Sequence, residues 1–166
     1  MKGMQPQAQG TGKLASKTYQ QMLAYVKHYT AYSVEASRFT FSNNVTQFAF
    51  FDSFLRQYEL AFTEGGTSGA MCSYFAPNGV SSCGNPWLLN GMIRSEVVDV
   101  KTGEVTKLGE GLGFNRSDAV VMSDCSAVGN MMKNVMHLDQ EGASAQAINA
   151  GLNVYGGWND NLWGQG

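Results

Sequence analysis

Asp124 is the residue of this sequence that is best placed to do chemistry. It closes the run DAVVMSD, which starts at Asp118 and carries four apolar residues up to the carboxylate. Small residues and a helical pattern follow, so the run predicts a buried parallel strand with an acid at its C-terminal end. Such a carboxylate can serve as a nucleophile, a base or a metal ligand. It can also simply cap the next helix, a role for which Ser126 is equally suited.

Two other strand-like runs also end in polar side chains that could hydrogen-bond a sugar. The run LAYV leads into Lys27, His28 and Tyr29, and the run GAMC leads into Ser73 and Tyr74. A helical segment follows each of the three strands. In a β/α barrel, this C-terminal end of the strands is where catalytic groups lie.

The elements that must position these residues alternate along the chain. A short helix is predicted over 17–22, a strand over 25–29, a loop over 33–42, a long helix over 46–64 and a strand over 70–74. A helix over 86–97 begins after an Asn85 cap, a hairpin is predicted over 98–108, helices cover 126–136 and 142–150, and a strand covers 151–155. Strand and helix units of this length predict a parallel sheet. In the long helix one apolar stripe is predicted to face the core, with an Asp52–Arg56 pair on the exposed side; the stripe consists of Phe48, Phe51, Leu55, Tyr58 and Phe62.

Composition excludes several classes of function. The chain has 166 residues, 43% hydrophobic content, 14% charged residues and a net charge of −2, which is compatible with one domain that has a real core. No cluster of Lys and Arg offers a footprint for nucleic acid, and no apolar stretch approaches the length needed to span a bilayer. We therefore expect neither a nucleic-acid partner nor a membrane partner.

Four stretches of the sequence resemble one enzyme family, in the same order and with comparable gaps. They are KHYTAY, RFTF, MCSYFAPNGVSSCGNPWLLNGMIR and VVMSDCSAV. Together they resemble the family 3 glycoside hydrolases, and the β-xylosidase branch more closely than the β-glucosidases. The resemblance implies an α/β fold, a partial (β/α)8 TIM-barrel-like domain in which parallel strands alternate with helices. It also implies that the chain is a fragment, with 1–16 a flexible segment, 17–166 the C-terminal half of the barrel domain, and 98–113 an insertion.

The resemblance implies a role for each of these polar residues in a retaining, exo-acting hydrolysis of terminal β-linked sugars. Asp124 matches the nucleophile, which forms a covalent glycosyl-enzyme. Lys27 and His28 match a pair that donates hydrogen bonds to sugar hydroxyls, and Tyr74 matches a tyrosine close to the nucleophile. Met71 would pack against the sugar or serve as core filler. No cofactor and no metal are implied.

The expected partners are an oligosaccharide or glycoside substrate and the remaining parts of a longer enzyme. Those parts are the other barrel half and a sandwich domain, which in the family usually supplies the proton donor. No acid of this chain matches that donor, so the isolated chain is expected to have little or no turnover. Half a barrel also leaves unpaired strand edges, which predicts marginal stability or self-association.

The cysteines and two glycosylation triplets bear on the compartment. The resemblance implies a Cys72–Cys83 disulfide, while two buried thiols in a reducing compartment are the alternative. Asn44 and Asn115 each begin an N-glycosylation pattern. We therefore expect the full-length protein to be extracellular.

Two other functional hypotheses stay open at the level of sequence. The chain could be a carbohydrate-binding remnant that lacks the acid/base and has no catalytic activity. It could instead be an unrelated barrel hydrolase with Cys125 as nucleophile and His28 as base, although no orienting partner for such a pair is evident. The sequence does not decide among xylose, glucose and arabinose.

Overall fold

The structure is a computed structural model that describes residues 22–40, 42–109 and 111–157. The predicted flexible segment 1–16 lies outside these ranges, as does all but the last residue of the helix predicted over 17–22. Within them, no helix has the length and apolar character that a bilayer crossing requires.

Within the described ranges, seven strands form three small sheets. They are β1 Tyr25–Tyr29, β2 Ser42–Asn43, β3 Gly69–Cys72, β4 Ala76–Pro77, β5 Glu96–Val98, β6 Val105–Lys107 and β7 Val120–Ser123. The main sheet is parallel and has the order β1-β3-β7, so its neighbours follow one another along the chain. A parallel bridge between Met122 and Val154 continues the same order.

In the described part of the chain, α- and π-helices alternate with the strands of the main sheet and with the bridge at Val154. Helix α1 consists of Gln47–Ala49, a π-helical part Phe50–Phe54 and Arg56–Thr63, and α2 is the π-helical Trp87–Ile93. Helix α3 consists of Ala127–Asn130 and the π-helical Met131–Val135, and α4 is Gln140–Ala150. The predicted alternation of parallel strands with helices is therefore confirmed. The described sheet is open and does not close into a barrel.

One face of the main sheet packs against the helices and the other is only half-covered. The residues on the packed face have 0–1% of their surface exposed: Ala70, Cys72, Val121 and Ser123. The residues that alternate with them are half-buried: Met71, Val120 and Met122. This alternation follows from the two-residue period of a strand, and it leaves an apolar sheet face without a full cover.

A glycine lets the central strands approach each other. A Cβ atom on Gly69 would lie 1.9 Å from the carbonyl oxygen of Val120 and 2.6 Å from the Tyr25 ring. Any side chain here would push β3 away from β7, so this strand pair requires a residue without a Cβ atom.

The apolar stripe predicted along α1 is wrong in its first half. Phe48 is 77% exposed and Phe51 is 44% exposed, while Phe50 is buried. The backbone N–H of Leu55 donates to the carbonyl of Phe50 at 2.7 Å, an i→i+5 bond that puts one extra residue into the turn. One extra residue rotates the preceding helix face by roughly 100°. The other members of the stripe are buried as predicted: Leu55, Tyr58 and Phe62.

Three smaller predictions also need correction. Arg56 pairs with Glu59 at 2.6 Å instead of Asp52, whose carboxylate accepts a hydrogen bond from the neighbouring Ser53. The helix predicted over 86–97 ends at Ile93, because the chain enters β5 at 96–98. The strand predicted over 151–155 is reduced to the single bridge at 154. The hairpin is confirmed, since β5 and β6 pair antiparallel.

A buried arginine attaches the segment after α4 to the rest of the molecule. Arg94 is 6% exposed and donates to the carbonyl of Ala119 at 3.2 Å and to the side-chain oxygens of Asn90 and Asn153 at 3.1 and 2.7 Å. Burial lowers the pKa of its guanidinium. A Cβ atom on Gly151, whose φ is +106°, would lie 2.2 Å from the Asn90 side chain. The cluster thereby fixes 151–155 beside β7.

Candidate functional site

The three polar strand ends predicted from the sequence lie next to one another. His28 is in β1, Tyr74 follows β3 and Asp124 follows β7, and these strands are neighbours in the sheet. The backbone pairing continues past the strand ends, because Ser73 N–H donates to Tyr29 O at 2.8 Å and Asp124 N–H donates to Cys72 O at 3.0 Å. The sheet therefore holds the backbone of the site rigidly.

The two oxygens of the Asp124 carboxylate have different partners. Oδ1 accepts the backbone N–H of Cys125 at 2.8 Å, and Oδ2 lies 3.2 Å from Nε2 of His28. The side chains of Asp124 and His28 are 15% and 27% exposed. Asp124 is thus a partly buried carboxylate with one oxygen held by the backbone and the other facing an imidazole.

The helix-cap alternative for Asp124 does not describe this arrangement. A capping side chain accepts an N–H two or three residues ahead, whereas Oδ1 accepts that of the next residue. Ser126 occupies the cap position of α3, but its side chain makes no capping hydrogen bond. Its backbone N–H donates to Gly156 O at 2.8 Å, which joins the start of α3 to the segment after α4.

Tyr74 contacts the residue that follows the acid. It is 6% exposed, and its hydroxyl donates to the carbonyl oxygen of Cys125 at 2.6 Å. Burial raises the pKa of Tyr74 to about 12, and the negative charge of Asp124 adds to this shift. The phenol therefore stays protonated and acts as a hydrogen-bond donor beside the carboxylate.

Lys27 and Met71 are placed less closely. Lys27 is exposed, and its ammonium group forms no hydrogen bond or ion pair with any residue in the described ranges. Met71 is half-buried in β3 and has Met122 as its register partner in β7. The structure thus joins His28 to Asp124 directly and Tyr74 to the next residue, Cys125, while Lys27 and Met71 only share their strands.

A disulfide closes the loop that carries Tyr74. Cys72 at the end of β3 is bonded to Cys83, with the two Cα atoms 5.2 Å apart, and both cysteines are fully buried. Cys125 is a free cysteine and is exposed. Within the described residues, no group of three or more His, Cys, Asp or Glu side chains is arranged to hold a metal ion.

Two helices hold the backbone around His28 in place. The hydroxyl of Tyr58 in α1 donates to His28 O at 2.5 Å, and the hydroxyl of Tyr29 donates to Leu88 O in α2 at 3.1 Å. The two rings meet edge to face with centroids 4.9 Å apart. These contacts connect the imidazole to the core through both helices.

The loop after β1 contributes residues to which sequence reasoning assigned no role. The Tyr32 ring lies 5.3 Å from the His28 ring, and its hydroxyl donates to Glu35 at 2.7 Å. Arg38 forms an ion pair with Glu35 at 2.8 Å. A cluster of aromatic and charged residues directly after a predicted strand was the available signal, because such loops lie beside the C-terminal edge of the sheet.

The same loop covers Tyr74. The guanidinium of Arg38 lies 4.7 Å from the centroid of the Phe39 ring and 5.1 Å from that of the Tyr74 ring, and the two rings meet edge to face at 4.8 Å. The side-chain amide of Asn130 in α3 donates to Phe39 O at 2.8 Å. The Phe39 end of the loop is thereby attached to the helix that starts behind Asp124.

The chain is similar to known β-xylosidases over most of its length. It is 32% identical over 136 residues to beta-xylosidase/alpha-L-arabinofuranosidase 2 of Medicago sativa subsp. varia and 29% identical over 136 residues to beta-D-xylosidase 3 of Arabidopsis thaliana. Each comparison covers 79% of this chain and 15% of the relative. The chain thus spans about 15% of the length of these curated relatives. No family model matches it.

Solved structures lead to the same family. A GH3 exo-beta-xylosidase (XlnD), in complex with a xylobiose aziridine activity-based probe, superposes with a TM-score of 0.72 at 27% identity, covering 87% of this chain and 17% of that one. A beta-glucosidase from Listeria innocua, 22% identical, shares the fold with a TM-score of 0.67 over 93% of this chain and 19% of its own. Because sequence relatives and structural neighbours agree over most of its residues, the chain belongs to the family 3 glycoside hydrolases.

Proposed function

We propose that this chain is the nucleophile-bearing part of a retaining, exo-acting glycoside hydrolase that cleaves terminal β-linked sugars. The observation that carries the proposal is the Asp124 carboxylate at the C-terminal edge of a parallel sheet, 3.2 Å from His28. The relatives named as β-xylosidases support the reaction class, and they favour xylose over glucose as the sugar removed.

In the proposed first step, one oxygen of Asp124 attacks the anomeric carbon of the bound sugar. A carbon–oxygen bond to the carboxylate forms while the glycosidic bond breaks, and the leaving oxygen takes a proton from a general acid. In the second step a water molecule attacks the anomeric carbon and gives a proton to the deprotonated general acid. The bond between the sugar and the carboxylate breaks, which frees Asp124. Retention requires the two carboxyl groups to lie about 5–5.5 Å apart.

The environment of Asp124 supports its role as the nucleophile. The Cys125 N–H holds Oδ1 at 2.8 Å, so the carboxylate cannot rotate freely and Oδ2 keeps facing the His28 imidazole. Nε2 of His28 lies 3.2 Å from Oδ2 and so helps to fix the direction in which this oxygen points. Tyr74 contributes a neutral phenol that holds the backbone carbonyl of the residue after the nucleophile.

We propose that the remaining polar groups bind the sugar. Lys27 is exposed and its ammonium group has no partner among the described residues, so it is available to donate to sugar hydroxyls. His28 can exchange its contact with Asp124 for a sugar hydroxyl once the site is filled. Met71 lies on the half-covered sheet face and would pack against the pyranose ring.

We propose further that the sheet is one arc of a (β/α)8 barrel that additional polypeptide completes. Support comes from the strand order, which follows the chain without reversal, and from the half-covered face of Met71, Val120 and Met122. In a barrel this face packs against the opposite strands. The proton donor would come from this additional polypeptide, and the residues 98–113, which contain β6, would be an insertion on the barrel surface.

We propose an extracellular location. The buried Cys72–Cys83 bond supports an oxidising compartment, because structural disulfides persist there. Asn44 and Asn115, which begin the glycosylation triplets, are both exposed.

The test is mechanism-based labelling of the full-length protein with an activated 2-deoxy-2-fluoro-xyloside. The fluorine slows both steps and the good leaving group restores the first, so the covalent intermediate accumulates. We expect one added fluoro-xylosyl mass, mapped by peptide sequencing to Asp124.

The matched variants are Asp124→Asn and Asp118→Asn. Asp118 lies before β7 and pairs with Arg116 at 2.8 Å at an exposed position, so its loss should leave labelling intact. Asp124→Asn should abolish the label. Reversible sugar binding with no adduct would support a carbohydrate-binding remnant instead, and label on Cys125 would replace the mechanism by a thiol nucleophile.

A further inference from the structure

We propose that Arg38 is a positioning residue for Tyr74, and that it acts through Tyr74 on the Asp124 segment; this inference rests on the proposed function of that site. In the proposed reaction, Arg38 does not contact the reacting atoms. Its role would be to hold the Tyr74 phenol where its hydroxyl can bind the backbone carbonyl of Cys125.

Residues of the loop after β1 cover the Tyr74 ring. The planar Arg38 guanidinium lies 5.1 Å from the ring centroid, within the range of a cation–π contact. Phe39 closes another side, edge to face at 4.8 Å, and the Tyr32 ring lies 6.4 Å away. All three covering residues come from the loop after β1, so the loop determines the space in which the Tyr74 ring lies.

Arg38 is itself held in place by neighbouring side chains. Its Nη1 is held by the Glu35 carboxylate at 2.8 Å and lies 3.5 Å from the Tyr32 hydroxyl. The Phe39 backbone is anchored by Asn130 at 2.8 Å. A long side chain that is held at its tip and lies close to two rings loses little further entropy when the site is occupied.

Cys125 links Tyr74 to the acid. The Tyr74 hydroxyl donates to the carbonyl of Cys125 at 2.6 Å, and the N–H of the same residue donates to Oδ1 of Asp124 at 2.8 Å. A displaced phenol would release the peptide that orients the carboxylate. The positive charge of Arg38 also opposes the effects of burial and of Asp124 on Tyr74, since it lowers the phenol pKa that they raise.

The molecule contains a matched control for Arg38. Arg56 and Glu59 form an ion pair at 2.6 Å with the same i,i+3 spacing as the Arg38–Glu35 pair, but with the order of charges reversed. Arg56 lies in α1, where its guanidinium pairs with Glu59 at an exposed position. Removing it deletes an equivalent charge and ion pair without uncovering Tyr74.

The experiment compares Arg38→Met, Arg38→Lys and Arg56→Met with the parent chain by two measurements. The first is the NMR spectrum of chains with ¹³C-labelled tyrosine rings, in which the Tyr74 signal is identified by its loss in Tyr74→Phe. The second is calorimetric titration with xylobiose. We expect Arg38→Met to shift the ring signals of Tyr74 and Tyr32 and to weaken xylobiose binding by roughly fivefold, the size of a partly exposed cation–π contact. Arg38→Lys should recover part of both effects, and Arg56→Met should change neither.

The outcomes separate this inference from the proposed function. If the parent chain fails to bind xylobiose, the proposed function loses support for this chain, while the ring signals still decide the role of Arg38. Unchanged Tyr74 signals in Arg38→Met overturn the inference. Signals that shift throughout the chain, with a melting temperature lowered to match, also overturn it because they indicate a general structural role. If Arg38→Met does not fold, the Tyr74 ring signals and the affinity for xylobiose are compared in Arg38→Lys instead, which keeps the charge but not the planar group.

Discussion

Reduction of the Cys72–Cys83 bond should destabilise the chain by an amount that the loop length determines. The two cysteines are 11 residues apart, and both are fully buried. In the chain-entropy model, a crosslink of this span removes an entropy of about 9 cal/mol/K from the unfolded state, which is about 2.8 kcal/mol at 25 °C. We therefore expect the free energy of unfolding to fall by about that amount when the bond is opened.

The assay is urea unfolding of the same protein with and without a phosphine reductant. With a urea dependence of about 2 kcal/mol per molar, the loss corresponds to a midpoint lowered by about 1.4 M. Thiol titration reports the state of the bond. Since the chain has three cysteines, of which Cys125 is free and exposed, the native protein should show one reactive thiol and the reduced, unfolded protein three.

Two variants make the measurement specific. Cys125→Ser removes the exposed thiol and should lose the same stability on reduction. Cys72→Ala combined with Cys83→Ala should be weaker than the oxidised parent and insensitive to reductant. The reasoning is refuted if the thiol count rises from one to three while the urea midpoint stays where it was.

Two further predictions follow from buried polar groups. Burial raises the pKa of Tyr58 to about 12, and burial together with the charge of Asp124 raises that of Tyr74 to about 12, whereas the unfolded chain ionises near 10. Because the unfolded state releases these protons first, the tyrosines leave stability intact below pH 10 and reduce it as the pH rises towards 12. Urea midpoints measured from pH 8 to 11 should fall less steeply in Tyr74→Phe, and an equal slope in parent and variant would contradict this. Separately, Arg94→Met leaves buried carbonyl and amide oxygens without a donor, so it should lower the free energy of unfolding in urea by about 3 kcal/mol. The control Arg56→Met removes an exposed arginine and should stay within about 0.5 kcal/mol of the parent. Equal losses in the two variants would show that the burial of Arg94 does not matter.

The sequence predicted the parts of the fold that depend on short-range patterns. The strand at 25–29 has the bounds predicted for it, and the runs through Met71 and Val121 were located to within two residues. These predictions succeed because apolar runs, a two-residue period and capping residues are properties of neighbouring positions. The prediction of the apolar stripe along α1 was wrong in its first half because it depends on more than neighbouring positions. The π-helical turn at Phe50 depends on which side of the helix packs against the core, and a fixed period does not contain that information.

For the candidate site too, some features could be predicted from the sequence and others depend on the tertiary structure. Sequence alone determined which residues end the strands and which family they resemble, because both depend only on residue types and their order. Tertiary structure decided that His28 rather than Lys27 contacts Asp124, and that Arg38 lies over Tyr74. These contacts join positions 36 to 96 residues apart, so they exist only where the parallel strands bring their C-terminal ends to one edge and the loop after β1 folds over it.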